Sequence, residues 1–408
     1  MKAKNYNLND TKLDDSKVFR DAVHNYIHVD QPVILDLINS KEMQRLRRIK
    51  QLGGTHLVYQ SAEHSRFCHC LGVYFIVRKM IFNSEVGKYL SDYDKLTVMC
   101  AALLHDLGHG PFSHCFEGAF GLNHEEYTVK IINGNSEVNC ILESFEKGFS
   151  KKVSSIIEKT HPNTILIQMI SSQLDADRMD YLLRDSYFTG TTYGHFDLYR
   201  ILRVMKVVDN KIVYKYSGVQ AIENYILARY HMYWQVYYHP TSRSYEQLLI
   251  SIFRRMKDLY NEGYDFGDIR YLKPFLDGNV NEVDYVKLDE SIVLYYFRLL
   301  SESNDKILAD LCDRFLNRKL FAYRDLNNEE EKIKVIKEFA KSGIAVRYYV
   351  VSDDQSQIPY LYYDNNEVNA IEILVNHELK LLPEVSEIVG AITNSSKNKI
   401  DHKIFYPE

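Results

Sequence analysis

A CxxC pair is missing from this 408-residue chain, although it carries six cysteines. Cys68, Cys70, Cys100, Cys115, Cys140 and Cys312 sit mostly within apolar helical patterns. Reduced, buried thiols are therefore expected, rather than disulfides or a zinc knuckle. Long apolar runs are also absent. The longest, "VMCAALL", is far too short to span a bilayer, and the polar start "MKAKNYNLNDTKLDD" lacks the apolar core of a signal peptide. The expectation is a cytoplasmic protein without a membrane partner. Nor is there an excess of basic charge. A formal net charge of −5 argues against strong nucleic-acid binding, which needs a broad basic surface. Repeats, low-complexity linkers and sharp composition breaks are missing too. What remains is a globular composition, 46% hydrophobic and 26% charged, in a chain long enough to bury a large core.

Helical periodicity dominates from about residue 31 to about 340. "QPVILDLINSKEMQRLRRIKQLGG" opens with proline in its first turn and closes on Gly53 and Gly54, as a helix starts and stops. Similar patterns recur in "CLGVYFIVRKMIF", "DKLTVMCAALLHDL", "HEEYTVKIING", "DADRMDYLLRDSYF" and "YEQLLISIFRRMKDLY". By contrast, "MKVVDNKIVYKY" alternates about Asp209-Asn210 and predicts a hairpin, and "GIAVRYYVVSDDQSQIPYLYYD" predicts a small sheet. The fold class expected is mainly α with a small α+β C-terminal lobe, divided at about residue 335 into 1–335 and 336–408.

Chemistry concentrates in "HDLGHGPFSH", where an apolar run leads straight into histidines and an aspartate. Buried carboxylates and imidazoles are costly unless compensated, and a bound cation compensates several at once. His105 and His109, four apart, are expected on one helix face with Asp106 beside them. Gly108, Gly110 and Pro111 then end the helix and swing His114 toward the same place. Upstream, "HSRFCHCLGV" offers His69 with Arg66 one turn before it. Downstream, "LDADRMDYLLRD" sets Asp177, Tyr181 and Asp185 at four-residue intervals, bordered by Arg178. Its leucines and methionine leave room for one polar stripe.

His69, His105-Asp106 and Asp177 together resemble the H…HD…D metal signature of the HD phosphohydrolase superfamily, an all-helical fold. The phrases "RLRRIKQLGG", "SRFCHCLGV", "HDLGHGPFSH", "NHEEYT" and "DADRMDYLLRD" resemble, in order and spacing, the deoxynucleoside triphosphate triphosphohydrolases of the SAM/HD-domain type, in their bacterial free-standing form. The resemblance covers about residues 17–260. It implies cleavage of a dNTP to a deoxynucleoside and inorganic triphosphate. Two imidazoles and two carboxylates suit iron, manganese, zinc or nickel, with magnesium alongside. A cation there lowers the pKa of its water toward ~7, so no protein nucleophile is needed. The family roles carried over make His114 the general acid, oriented by His124 and Glu117. His109, Arg66 and Arg178 would hold the triphosphate. Gln51 and Leu52 would contact the deoxyribose, with Tyr181 and Asp185 on its other side and Tyr237 stacked beneath.

Some positions depart from the family pattern. Cys68 stands where an acidic residue is usual, and Glu117 where aspartate is. Many relatives are tetramers activated by a nucleotide between subunits, through an aspartate and an arginine of the helix here reading "NSKEMQRLRR". Arg47 is kept, but Asn39 holds the acidic position, and the family's "NDPIHG" appears as "RDAVHN". The expectation is a homo-oligomer, dimer or tetramer, with a doubtful response to a regulatory nucleotide. Two other readings remain open. One is an HD phosphohydrolase of another nucleotide phosphoester (monophosphate, cyclic nucleotide or oligonucleotide). The other is a nucleotide-sensing scaffold with little turnover.

Overall fold

The structure is a computed structural model that describes residues 13–356, 370–396 and 400–408. Helices dominate it, as the periodicity requires. At its centre lies the helix Arg66–Asn83, whose buried residues run round the whole circumference. A helix apolar on every side belongs in the interior, and this one packs against the helices Asp92–Leu104 and Ala176–Thr189. Ser91 starts the first neighbour with a capping box, its hydroxyl accepting the Asp94 N–H at 3.0 Å. Asp175 starts the second by accepting the Arg178 N–H at 2.7 Å. No described helix is long and apolar enough to cross a membrane, and all six cysteines are free.

Gly72 lets the central helix approach its neighbour. A Cβ at this position would stand 1.8 Å from Asp180 Oδ1 and 2.5 Å from Arg184 Nη2. Gly108 plays the same part in the loop after Leu104, where a Cβ would lie 2.1 Å from the His124 carbonyl oxygen.

Two local expectations are corrected. The stretch 31–54 is not one helix. Ser40 is extended (φ −62, ψ 150) and separates Pro32–Asn39 from Lys41–Arg45, after which the chain tightens into a 3-10 turn, Leu46–Arg48. The Ser40 hydroxyl donates to the Leu37 carbonyl at 2.7 Å and caps the following helix, so a short polar side chain wins over continuous periodicity. Likewise, His105 and His109 share no helix face, because the helix ends at Leu104 and residues 105–108 form turns.

The strands are few. Lys17–Asp21 and Asn25–Val29 form an N-terminal hairpin. Met205–Val208 and Lys211–Lys215 form the predicted one, turning on Asp209 and Asn210 at φ 48 and 58. Glu372–Val375 adds to that second hairpin in parallel, and Glu378–Leu381 extends the sheet. Ile400–Tyr406 pairs on both sides, with Ala322–Asp325 and Val351–Ser356. Of the expected C-terminal sheet, Val346–Tyr349 is helical and Val351–Ser356 is a strand, while 357–364 lies outside the described residues. Residue 335 falls inside the helix Glu329–Lys341. Arg243, fully buried on the helix Pro240–Asn261, docks the C-terminal sheet through Asp353 (Nε to Oδ2, 2.8 Å) and Asp401.

Glu290 ties two loops together. Its Oε1 accepts the Lys50 N–H at 2.8 Å and the Phe112 N–H at 3.3 Å. Burial pushes its carboxyl up to about 7 against those two bonds. A raised carboxyl favours folding fully below its unfolded value, and that contribution is lost as pH rises through the folded value. Glu290→Gln keeps the accepting oxygen, so thermal unfolding should match the parent below about pH 5 and show greater stability above about pH 7. Gly72→Ala should cost about 1–3 kcal/mol in denaturant unfolding, because the inserted methyl has no space.

Candidate active site

Three elements bring the four predicted ligands together. His69 comes from the central helix, His105 and Asp106 from the turn after Leu104, and Asp177 from the first turn of Ala176–Thr189. His69 Nε2 lies 3.0 Å from Asp177 Oδ1 and 3.8 Å from Asp106 Oδ2. His105 Nε2 lies 3.4 Å from Asp106 Oδ1 and 3.7 Å from Asp177 Oδ1. Ligand atoms of His69, His105 and Asp106 all fall within 4.8 Å of one another.

The opposite ring nitrogens decide what this centre fits. His69 Nδ1 donates to Asp180 Oδ2 at 2.8 Å, and His105 Nδ1 to the Ala102 carbonyl at 2.9 Å. In neutral rings both Nε2 lone pairs then face carboxylates, an arrangement that only a cation or added protons can satisfy. His105 Nε2 is buried with no hydrogen-bond partner among the described residues. Protons serve in the absence of metal: burial opposes the His69 imidazolium, but hydrogen bonds to Asp177 and Asp180 outweigh it and lift the ring to about 10. Asp106 and Asp177 are both held below the ordinary carboxylate range by the surrounding histidines, against burial. The donor set and its orphaned nitrogen fit a divalent transition metal.

Beneath the centre lies a network that the sequence reading missed. Asp180 is wholly buried and accepts from His24 Nε2 at 2.6 Å, His69 Nδ1 at 2.8 Å and Arg184 Nε at 2.8 Å. Arg184 continues to Asp21 Oδ2 at 2.9 Å, and Asp21 Oδ1 receives the His24 N–H at 2.8 Å. The helix therefore carries two polar stripes, not one, and the second points inward. "RDAVHN", read only as a regulatory element, supplies His24 and Asp21 to this support. The signal available was the spacing of Asp180 and Arg184, one turn apart and three residues beyond Asp177 and Tyr181 respectively.

A second cluster abuts the first. Glu117 Oε2 lies 3.0 Å from His124 Nδ1 and 3.4 Å from His114 Nδ1. Its Oε1 lies 2.9 Å from His109 Nδ1, off the line of a hydrogen bond. Burial would raise the Glu117 carboxyl, but the three histidines hold it far below the usual range. His109 bridges the clusters, with Nε2 3.4 Å from Asp106 Oδ1, and burial with nearby Arg66 lowers it to about 4. Arg66 donates to Asp106 Oδ2 at 2.5 Å and to Ser113 Oγ at 2.8 Å. Phe112 and Ser113 adopt positive φ (59 and 54), turning the chain so that His114 can start the next helix beside the site.

Both clusters open on a cavity of about 440 Å³. Gln51, Leu52, Arg66, His69, Asp106, His109, His114, His124, Asp177, Tyr181, Asp185 and Tyr237 all line it. Gln51 Oε1 is buried there without a hydrogen-bond partner among the described residues. Tyr237 ends a π-helical turn, Tyr233–Tyr237, packs edge-on to Tyr181 at 6.1 Å, and donates to Asp185 Oδ2 at 2.8 Å. Of the other predicted residues, His105 and Glu117 stand in the two clusters without lining the cavity, and three more lie outside both. Arg178 does not line the cavity, because its guanidinium pairs with Asp175. Asn39 is exposed, and exposed Arg47 stacks on Phe67 at 3.6 Å and donates to Gln44 at 2.8 Å; neither is among the cavity-lining residues, as their assignment to a regulatory surface requires. Sequence reasoning also missed His64, which donates to Asp185, and Gln355, which reaches the cavity from the C-terminal sheet.

Residues 66–185 match the HD domain family and residues 196–408 match the HD associated region. The chain is similar to YwfO of Bacillus subtilis (strain 168), with 49% identity over 97% of this chain and 93% of that protein. Similarity extends to the deoxynucleoside triphosphate triphosphohydrolase SAMHD1 homolog of Dictyostelium discoideum, 31% identical over 58% of this chain; the match spans about half, 49%, of that relative. In solved structures, a phosphohydrolase from Bacteroides thetaiotaomicron VPI-5482 matches with a TM-score of 0.85 at 29% identity, covering 97% of this chain and 100% of that one. With two family regions accounting for most of its length and the H…HD…D residues gathered at one centre, the chain belongs to the HD-domain phosphohydrolases that carry an HD-associated region and is homologous to the SAMHD1-type triphosphohydrolases.

Proposed function

We propose that the protein hydrolyses deoxynucleoside triphosphates to the deoxynucleoside and inorganic triphosphate, acting in the cytoplasm. One observation carries this reading: a metal-competent centre and a histidine-carboxylate cluster lie side by side on a cavity whose remaining wall offers tyrosines and hydrogen-bond acceptors. His69, His105, Asp106 and Asp177 would hold the metal. When bound, it supplies Lewis-acid polarisation of the α-phosphoryl oxygen and an activated water for attack.

The chain's own groups do the rest. Arg66 and His109, beside Asp106, present donors to the phosphate oxygens in a largely buried setting, where such contacts are strongest. Arg178 joins them only on leaving Asp175. His114 protonates the departing 5′ oxygen. Glu117 faces its Nδ1 and orients the ring, while His124 shares the same carboxylate and fixes its position. Gln51, Leu52, Tyr181, Asp185 and Tyr237 enclose the deoxyribose, with acceptors placed for a sugar hydroxyl. Assembly as a dimer or tetramer belongs to the same proposal. Asn39 at the acidic position removes the partner that a guanine effector would need beside Arg47.

Incubating the protein with each dNTP and Mn²⁺ should release intact triphosphate, and chelation should stop the release. Orthophosphate or pyrophosphate as product would instead assign another phosphoester reaction. Asp180→Asn should lower metal affinity by about 10- to 100-fold, read from metal content after dialysis, because an amide offers one neutral acceptor oxygen to the three donors that the carboxylate serves, and the His69 ring is held less firmly. His114→Ala should keep its metal and lose about 10²- to 10⁴-fold in kcat.

A further inference from the structure

We infer that His64 is a positioning residue for the sugar end of the cavity: it clamps the Asp185 carboxylate in the orientation that accepts the 3′-hydroxyl of a deoxynucleotide. The inference rests on the triphosphohydrolase reading for its choice of Asp185 as the sugar wall.

His64 touches that wall twice. Its Nε2 donates to Asp185 Oδ1 at 2.8 Å, and its carbonyl oxygen accepts the Gln51 N–H at 3.0 Å. One residue therefore sets both the carboxylate on one side of the sugar and the backbone of the residue on the other. Nothing competes for the ring. Nδ1 is buried without a hydrogen-bond partner among the described residues, so the tautomer with its proton on Nε2 is the one the pair satisfies. The imidazole is itself fixed by stacking on Phe188, 4.6 Å between centroids and 18° between planes.

Asp185 has little freedom left. Its side chain is 2% exposed, Oδ1 takes the His64 proton, and Oδ2 takes the Tyr237 hydroxyl proton at 2.8 Å. An ionised carboxylate offers about four lone-pair sites, so acceptor capacity remains for a ligand in the cavity that Asp185 lines. A deoxynucleoside triphosphate carries one sugar hydroxyl, at the 3′ position, and that group is the matching donor. Without the His64 N–H the carboxylate is held from one side only, and its plane can turn away from the sugar.

The test uses the full-length, Mn²⁺-loaded protein, with His64→Phe to keep the ring stack and remove the donor, and His64→Gln to restore an N–H. Each is assayed with dATP and with the 2′,3′-dideoxy counterpart. H64F should lower kcat/KM for dATP by about 10- to 100-fold and for the dideoxy compound by less than about threefold, with H64Q recovering most of the loss. Calorimetric binding of the α,β-methylene analogues of both nucleotides should show the same ratio. Equal losses on the two substrates overturn the inference, as does a wild-type protein with no preference for the 3′-hydroxyl. A wild type that releases no triphosphate, yet binds the analogues with that preference lost only in H64F, overturns the triphosphohydrolase reading and upholds the clamp.

Discussion

Two imidazole lone pairs aimed at two ionised carboxylates are the constraint on which the rest of this structure depends. Opposite charges 4 Å apart attract by about 4 kcal/mol at an effective dielectric of 20, and like charges repel as strongly. Asp106 and Asp177 share His69 and His105 between them, so the fold must deliver positive charge to that point. Arg66 provides part of it from one side. The remainder has to come from a cation, or from protons when no cation is there.

The scaffold around that centre is organised to hold the ligands still. Asp180 receives three donors, His24, His69 and Arg184, and so fixes the His69 ring from behind. Gly72 allows the contact, since a side chain at this position would occupy the space of the Asp180 carboxylate. Glu117 applies the same economy nearby, with one carboxylate serving three histidines. Arg243 then brings the C-terminal sheet, and Gln355 with it, to the mouth of the cavity. The HD-associated region thus completes a wall that the HD domain alone leaves open.

Much of the site was legible because its residues are crowded into short motifs. An apolar run ending in His-Asp, and the polar repeat Asp177, Tyr181 and Asp185 at every fourth residue on a helix, leave few structural explanations. The failures share a cause. His105 and His109 were placed by helical geometry, yet the helix stops at Leu104 and the turns that follow set their positions. Ser40 broke a periodic stretch by bonding backward to its own chain. Arg178, of the right type and spacing for phosphate, is held off the cavity lining by Asp175 three residues earlier, a pairing that spacing alone did not reveal. His24 and His64 lack any local pattern that marks them, because their partners are 156 and 121 residues away.

Sequence alone determined the helical class and the predicted hairpin and singled out the candidate ligand types, since each follows from residue chemistry and periodicity over short stretches. Tertiary structure decided which of two polar stripes on the helix Ala176–Thr189 faces the cavity and which supports His69. It also decided that a strand from the C-terminal region lines the cavity. Those outcomes depend on which side chain reaches a partner first across long chain separations, and that competition is settled only when the core packs.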